Sequence, residues 1–112
     1  MDQSSPNRIA QLWTAVHKVP KGRATSYGHI GKLLPNPVSG LLVGRWMAQA
    51  TSGSEPDSCP WWRVCARDGT LVIGRRDPAL AIEQRRRLEA EGVPFVEDRV
   101  DMSQVYWDEF PD

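Results

Sequence analysis

Apolar residues recur at helical spacing through the first third of the chain. Ile9, Leu12, Trp13 and Val16 stand at i, i+3, i+4 and i+7, which predicts an amphipathic helix over residues 8–18. Val19-Pro20-Lys21-Gly22 ends it, because proline and glycine punctuate there. His17 falls near the helix C-terminus, on its surface. Thr25 and Ser26 are hydroxyl residues suited to capping a second helix over 27–34, with Ile30, Leu33 and Leu34 inward. Pro35-Asn36-Pro37 breaks that helix, and 38–50 forms a third. Gly40 and Gly44 lie four apart and give the third helix a face with little side-chain bulk. Two short helices around a tight turn make a helix-turn-helix candidate or a plain helical hairpin.

Residues 51–58 (TSGSEPDS) read as a loop. Beyond them, 63–67 and 70–73 predict two short strands joined at Asp68-Gly69, a hairpin signal. Asp77 and Pro78 open a last long helix, to about residue 91, and Gly92 is placed to end it. Leu80, Gln84, Arg87 and Leu88 mix polar and apolar on that helix, so it packs by a narrow stripe. Its Arg85-Arg86-Arg87 run pairs on the surface with Glu83, Glu89 and Glu91. A short strand is expected at 93–96, and the aromatic tail with Tyr106, Trp107 and Phe110 docks back on the body. The fold class is therefore mainly α: one small helical domain over 1–112, with a helix-turn-helix of winged-helix-like type and at most a short β-hairpin. Residues 1–7 and the last few residues are expected to fray.

Composition adds limits. With 112 residues, 40% of them hydrophobic and 25% charged, the chain can bury one core. No apolar run approaches the ~20 residues of a membrane span and no signal peptide is visible, so a cytoplasmic protein without membrane contact is expected. In a bacterium it would associate with the nucleoid, and in a eukaryote it would be nuclear. Cys59 and Cys65, with His17 and His29 scattered, make a poor metal set, so neither metal nor cofactor is expected. Net charge is zero, yet residues 1–76 carry ten Lys/Arg against four Asp/Glu, and residues 77–112 carry four against ten. A basic body points to a polyanionic partner, or to an uneven solvated surface.

Chemistry concentrates at Pro60-Trp61-Trp62-Arg63-Val64. Adjacent indoles beside a proline and an arginine suit a planar aromatic ligand, and they suit a core anchor equally. Here the chain resembles a known family. Residues 19–30 (VPKGRATSYGHI) are similar to the start of the DNA-binding domain of O6-alkylguanine-DNA alkyltransferases, and Pro60-Trp61-Trp62-Arg63-Val64 with Asp68-Gly69 is similar to that family's Pro-Cys-His-Arg-Val motif. The resemblance covers about residues 8–108. Trp61 stands where the alkyl-accepting cysteine would be, the mark of the alkyltransferase-like proteins, and Trp62 stands where histidine is commonest. An alkyl acceptor must be a thiolate or a similarly activated group, which indole is not. Neither Cys59 nor Cys65 is placed to substitute.

The resemblance implies a non-enzymatic protein that binds duplex DNA through the helix-turn-helix, its second helix in the minor groove. It implies rotation of an O6-alkylguanine into a pocket beside Trp61, bending of the DNA, and marking of the lesion for nucleotide excision repair proteins. The implied DNA-binding residues are Thr25, Ser26, Tyr27, Ser39, Gly40, Leu41, Val43, Gly44 and Arg45. Tyr27 takes the place of the tyrosine that pushes on the phosphate. The implied pocket is Tyr27, Pro60, Trp61, Trp62, Arg63, Val64 and Arg75. Trp61 contacts the base, Trp62 anchors behind it, Arg63 holds the motif, and Arg75 or Arg76 lines the pocket by cation–π contact. The family's Arg-x-Val-Gly frame reads Leu41-Leu42-Val43-Gly44, so Leu41 becomes the plug left in the stack and Arg45 a phosphate contact. A monomer is expected. The alternatives are an active alkyltransferase with another acceptor, and a degenerate DNA-binding or protein-interaction module.

Overall fold

The computed structural model describes residues 6–51 and 59–110. Helix α1 (Pro6–Val16) buries Leu12 and Val16 completely, as its periodicity requires. It begins at a proline, whose missing N–H costs nothing in the first turn, and closes two residues short of the expected end in a turn where Val19 N–H donates to the Val16 carbonyl. The next segment leads into a two-residue strand, β1 (Thr25–Ser26), and directly into α2 (Tyr27–Leu33). Ser26 caps α2, its Oγ accepting from His29 N–H at 3.1 Å.

Helix α3 (Gly40–Thr51) folds back on α2 through a turn that only glycine permits. A Cβ on Gly31 would meet the Val38 carbonyl oxygen at 2.2 Å, and one on Gly40 would meet Gly28 N at 2.9 Å. The small face of α3 is therefore used against α2, inside the helix-turn-helix. At Gly40 the backbone approached is that of Gly28 on α2. Val43, Trp46 and Met47 on α3 join Leu12, Val16 and Ile30 in the main core.

The predicted hairpin at 63–73 does not form. Its turn does: Gly69 has φ +91° and its N–H reaches the Ala66 carbonyl at 2.8 Å. Yet β2 (Val64–Cys65) pairs in parallel with β1, Thr25 opposite Val64, and residues past Leu71 curl into a 3-10 helix (Val72–Arg75). Gly69 is taken up by Val100, whose N–H donates to the Gly69 carbonyl at 3.0 Å. The hairpin lies later, between β3 (Phe95–Val96) and β4 (Arg99–Val100), with Glu97 at φ 56° in its turn. The strand expected at 93–96 is its first arm. No Asn-Gly or Asp-Gly announces this turn, so the sequence hid it.

Helix α4 (Pro78–Ala90) starts as predicted, with Asp77 Oδ1 accepting from Ala79 N–H at 3.0 Å. It ends at Gly92, φ +88°, where Val93 N–H returns to the Leu88 carbonyl. After a short α5 (Met102–Val105) the tail crosses back over the entry to the helix-turn-helix. Ala24 and Tyr106 form a parallel bridge, Trp107 N–H donates to the Ala24 carbonyl at 2.8 Å, and Thr25 Oγ1 donates to the Trp107 carbonyl at 2.7 Å. Arg23 adds two bonds, to the Val105 and Tyr106 carbonyls. Strand β1 thus has β2 on one side, and the tail laces the residue before it. A second, smaller core beneath α4 and α5 holds Leu88, Val93, Val100 and Val105. Trp62 packs against both cores.

Candidate nucleic-acid interface and pocket

The helix-turn-helix and the segment 61–76 enclose a cavity of about 730 Å³, within the range of small-ligand sites. Tyr27, Gly28 and His29 on α2 line it together with Leu41, Gly44 and Arg45 on α3. Trp61 and Val64 lie deeper, Gln84 reaches in from α4, and Tyr106 from the tail. Lys32, Arg45, Arg67, Arg75 and Arg76 line it, and among the described residues no Asp, Glu or Cys does. Five cations gathered at one opening make a surface for polyanions. Leu41 is 71% exposed at the start of α3, an apolar side chain held out into solvent beside this opening.

Trp61 and Trp62 divide their tasks. They meet edge to face, centroids 6.1 Å apart, in a one-turn 3-10 helix (Trp61–Arg63). Trp61 is 3% exposed and lines the cavity. Trp62 turns away: its Nε1–H donates to Glu91 Oε2 at 2.9 Å, and the guanidinium groups of Arg63 and Arg87 lie 5.7 and 4.6 Å from its ring centroid. Arg63 forks onto the same carboxylate, Nη2 to Oε2 at 2.8 Å, and its Nη1 donates to the Val19 carbonyl. Gly22 N–H adds a further bond to Glu91 at 3.3 Å. Burial pushes the Glu91 carboxyl up, but hydrogen bonds from Arg63, Trp62 and Gly22 with the Arg63 charge outweigh it and hold it below its ordinary value. Glu91 was expected to pair along α4. It leaves Glu83 to Arg86 and Arg87, and Glu89 to Arg85, and clamps the 3-10 helix instead.

Of the expected pocket residues, Tyr27, Trp61, Val64 and Arg75 line the cavity. Pro60, Trp62 and Arg63 do not; they form the wall behind Trp61. Of the expected DNA-contacting residues, Ser26, Tyr27, Gly40, Leu41, Gly44 and Arg45 border the same opening, and Ser39 is exposed with its Oγ accepting from Leu42 N–H. Thr25 and Val43 are fully enclosed, so their side chains support the motif rather than reach a ligand. Lys32, Arg67, Gln84 and Tyr106 were missed. Only Gln84 carried a signal: an amide on the apolar stripe of α4, four residues from both Leu80 and Leu88.

Neither cysteine is an activated nucleophile. Burial pushes the Cys59 thiol up to about 12, with Arg63 pulling the other way. Burial, then the Asp68 charge, does the same for Cys65, whose Sγ–H instead faces Met102 Sδ at 3.8 Å. Tyr27 is likewise raised to about 12, by burial first and then by Cys65, so its phenol is a neutral hydrogen-bonding group. Among the described residues no cluster of His, Cys, Asp and Glu could hold a metal ion, and no helix is long and apolar enough to cross a membrane.

A helix-turn-helix bordering a cationic, indole-floored cavity defines a DNA-binding class, and the comparisons give it a family. Residues 8–93 match the 6-O-methylguanine DNA methyltransferase DNA-binding domain, and the chain belongs to that family. Within it the chain is similar to the DNA base-flipping protein of Escherichia coli (strain K12), 32% identical over 95% of this chain and 76% of that one. It is also 37% identical to alkyltransferase-like protein 1 of Schizosaccharomyces pombe, over 74% of this chain and 73% of the relative. The fold superposes on the crystal structure of S. pombe Atl1 in complex with damaged DNA containing O6-carboxymethylguanine, with a TM-score of 0.72, 27% identity, and 94% and 98% of the two chains covered.

Proposed function

We propose that this chain is a non-enzymatic reader of alkylation damage in DNA, acting as one DNA-binding unit. It binds duplex DNA with α3 in the minor groove and takes an O6-alkylguanine, rotated out of the stack, into the cavity beside Trp61. Trp61 stands in the place of an alkyl acceptor and supplies contact area instead of a thiolate. Leu41 fills the gap in the stack, Tyr27 presses on the neighbouring phosphate, and Arg45 holds the backbone. The bound monomer marks the lesion for nucleotide excision repair proteins. The observation that carries this reading is the cavity itself: roomy enough for a purine base, bordered by cations, floored by indole and lined by neither Cys59 nor Cys65. The relatives named for base flipping and the one bound to O6-carboxymethylguanine DNA support it.

The test is fluorescence anisotropy on matched duplexes with and without one O6-methylguanine, followed by intact-protein mass spectrometry. Binding to the damaged duplex is expected to be roughly tenfold tighter or more, about 1.4 kcal/mol, with protein mass unchanged. Leu41→Ala is expected to weaken lesion binding without altering stability, since the side chain is 71% exposed. Equal affinity for the two duplexes, or an alkyl group retained on the protein, would sink the proposal.

A further inference from the structure

Among the described residues, two buried side-chain polar atoms have no hydrogen-bond partner, Trp61 Nε1 and Gln84 Oε1, and both residues line the same cavity. Gln84 is 1% exposed. A buried polar group without a partner is costly, and native proteins keep few of them. The orientation of the amide is not arbitrary. Gln84 Nε2 lies 3.1 Å from the Trp62 carbonyl oxygen and 2.9 Å from the Val64 carbonyl oxygen. Two carbonyls accept and cannot donate, so the NH₂ group must face them and the amide oxygen must face the other way. The result is an acceptor, fixed in direction by the main chain of the Trp61-Trp62-Arg63-Val64 segment. Trp61, which lines the same cavity, holds the unpaired donor, its indole N–H. Two residues that line the cavity therefore hold one unpaired donor and one unpaired acceptor, both buried in the unliganded protein.

We infer that Gln84 is a specificity-determining residue whose Oε1 accepts a hydrogen bond from the 2-amino group of the flipped purine. The inference rests on the lesion-binding function proposed above. Guanine and its O6-alkyl derivatives carry a 2-amino group; adenine and hypoxanthine derivatives do not. Alkylation at O6 also removes the proton from ring N1, which changes that atom from donor to acceptor. An O6-alkylguanine thus offers a donor (the 2-amino group) next to an acceptor (N1), the complement of Gln84 Oε1 and Trp61 N–H. Unmodified guanine presents two adjacent donors there and would set N1–H against the indole N–H. A purine lacking the 2-amino group leaves Gln84 Oε1 buried and unpaired.

The experiment compares duplexes carrying O6-methylguanine with duplexes carrying 6-methoxypurine, the same base without the 2-amino group, with unmodified guanine as reference. The wild-type protein is expected to bind O6-methylguanine roughly tenfold tighter than 6-methoxypurine, the scale of one buried acceptor left unsatisfied. Gln84→Lys keeps donors toward the Trp62 and Val64 carbonyls but has no acceptor. In this variant the ratio is expected to fall to within about twofold. Its added charge shifts both affinities alike and cancels in the ratio. Gln84→Met, apolar and similar in volume, is expected to give the same loss, with thermal melting to check folding. A wild-type ratio within about twofold overturns the inference without recourse to any variant, and is the outcome expected if ordered water satisfies Gln84. A ratio that survives Gln84→Lys overturns it too. Lesion preference over guanine without dependence on the 2-amino group removes only this inference, whereas no preference for O6-methylguanine over guanine removes both.

Discussion

At the scale of single residues, Glu91 decides whether Trp61 is held in place. Its carboxylate takes bonds from Arg63, Trp62 and Gly22, and so ties the 3-10 helix to the end of α4 and to the loop after α1. The side chains of Arg63 and Glu91 are 15% and 9% exposed. Removing one partner of such a pair strands the other. Glu91→Gln is therefore expected to cost about 3 kcal/mol in urea unfolding. The pH dependence follows from the sign of the shift. A carboxyl held below its ordinary value of 4.5 stabilises the fold above that pH, and the contribution is lost as the pH falls below it. Stability of the native chain should drop on acidification through that region, and the Glu91→Gln chain should show a flatter profile. A parallel acid response in both would show that other carboxylates carry it. None of this was legible in the sequence, where Glu91 reads as one more partner for an arginine-rich helix.

Among the elements, the helix-turn-helix depends on backbone contact rather than on side-chain fit. Gly31 and Gly40 have no room for a methyl group, whereas a Cβ on Gly44 would meet only Tyr27 Cδ1, at 4.0 Å. Gly31→Ala is expected to destabilise the protein by about 1–3 kcal/mol through forced separation of α2 from the turn. Gly44→Ala should be neutral or stabilising by up to about 1 kcal/mol. Thermal melts of the pair check this, and equal effects would refute it. The helices themselves were legible: α1 and α4 follow from periodicity, Asp77 and Pro78 mark a start, and Gly92 marks an end. The strands were not. Val64–Cys65 is two residues long, and its partner is Thr25–Ser26, so no local pattern could reveal the pairing. The pocket was partly legible for the same reason. Tyr27, Trp61 and Arg75 sit in marked stretches, while Tyr106 and Gln84 are brought in by long-range packing.

For the whole molecule, the charge asymmetry of the sequence becomes a division of surfaces. The acidic residues of α4 pair with arginines on their own helix, Glu83 with Arg86 and Arg87, and Glu89 with Arg85. Five cations meanwhile gather at the cavity, with no carboxylate among the described residues lining it. Zero net charge is thus compatible with a strongly salt-dependent DNA affinity. If three to five of these cations meet phosphates, log affinity should fall against log salt with a slope of about −3 to −5, and Arg76→Ala should reduce it by about one. A slope near zero would place the cations away from DNA. The lacing of the tail across Ala24 and Thr25 has a different consequence, one of timing. Thr25 cannot donate its hydroxyl until Trp107 exists, about 80 residues later. At ordinary synthesis rates of about 5–20 residues per second, the strand that introduces the helix-turn-helix waits roughly 4–16 s for its last partner. A message cut short before that tryptophan would leave the helix-turn-helix translated in full and without its fastening.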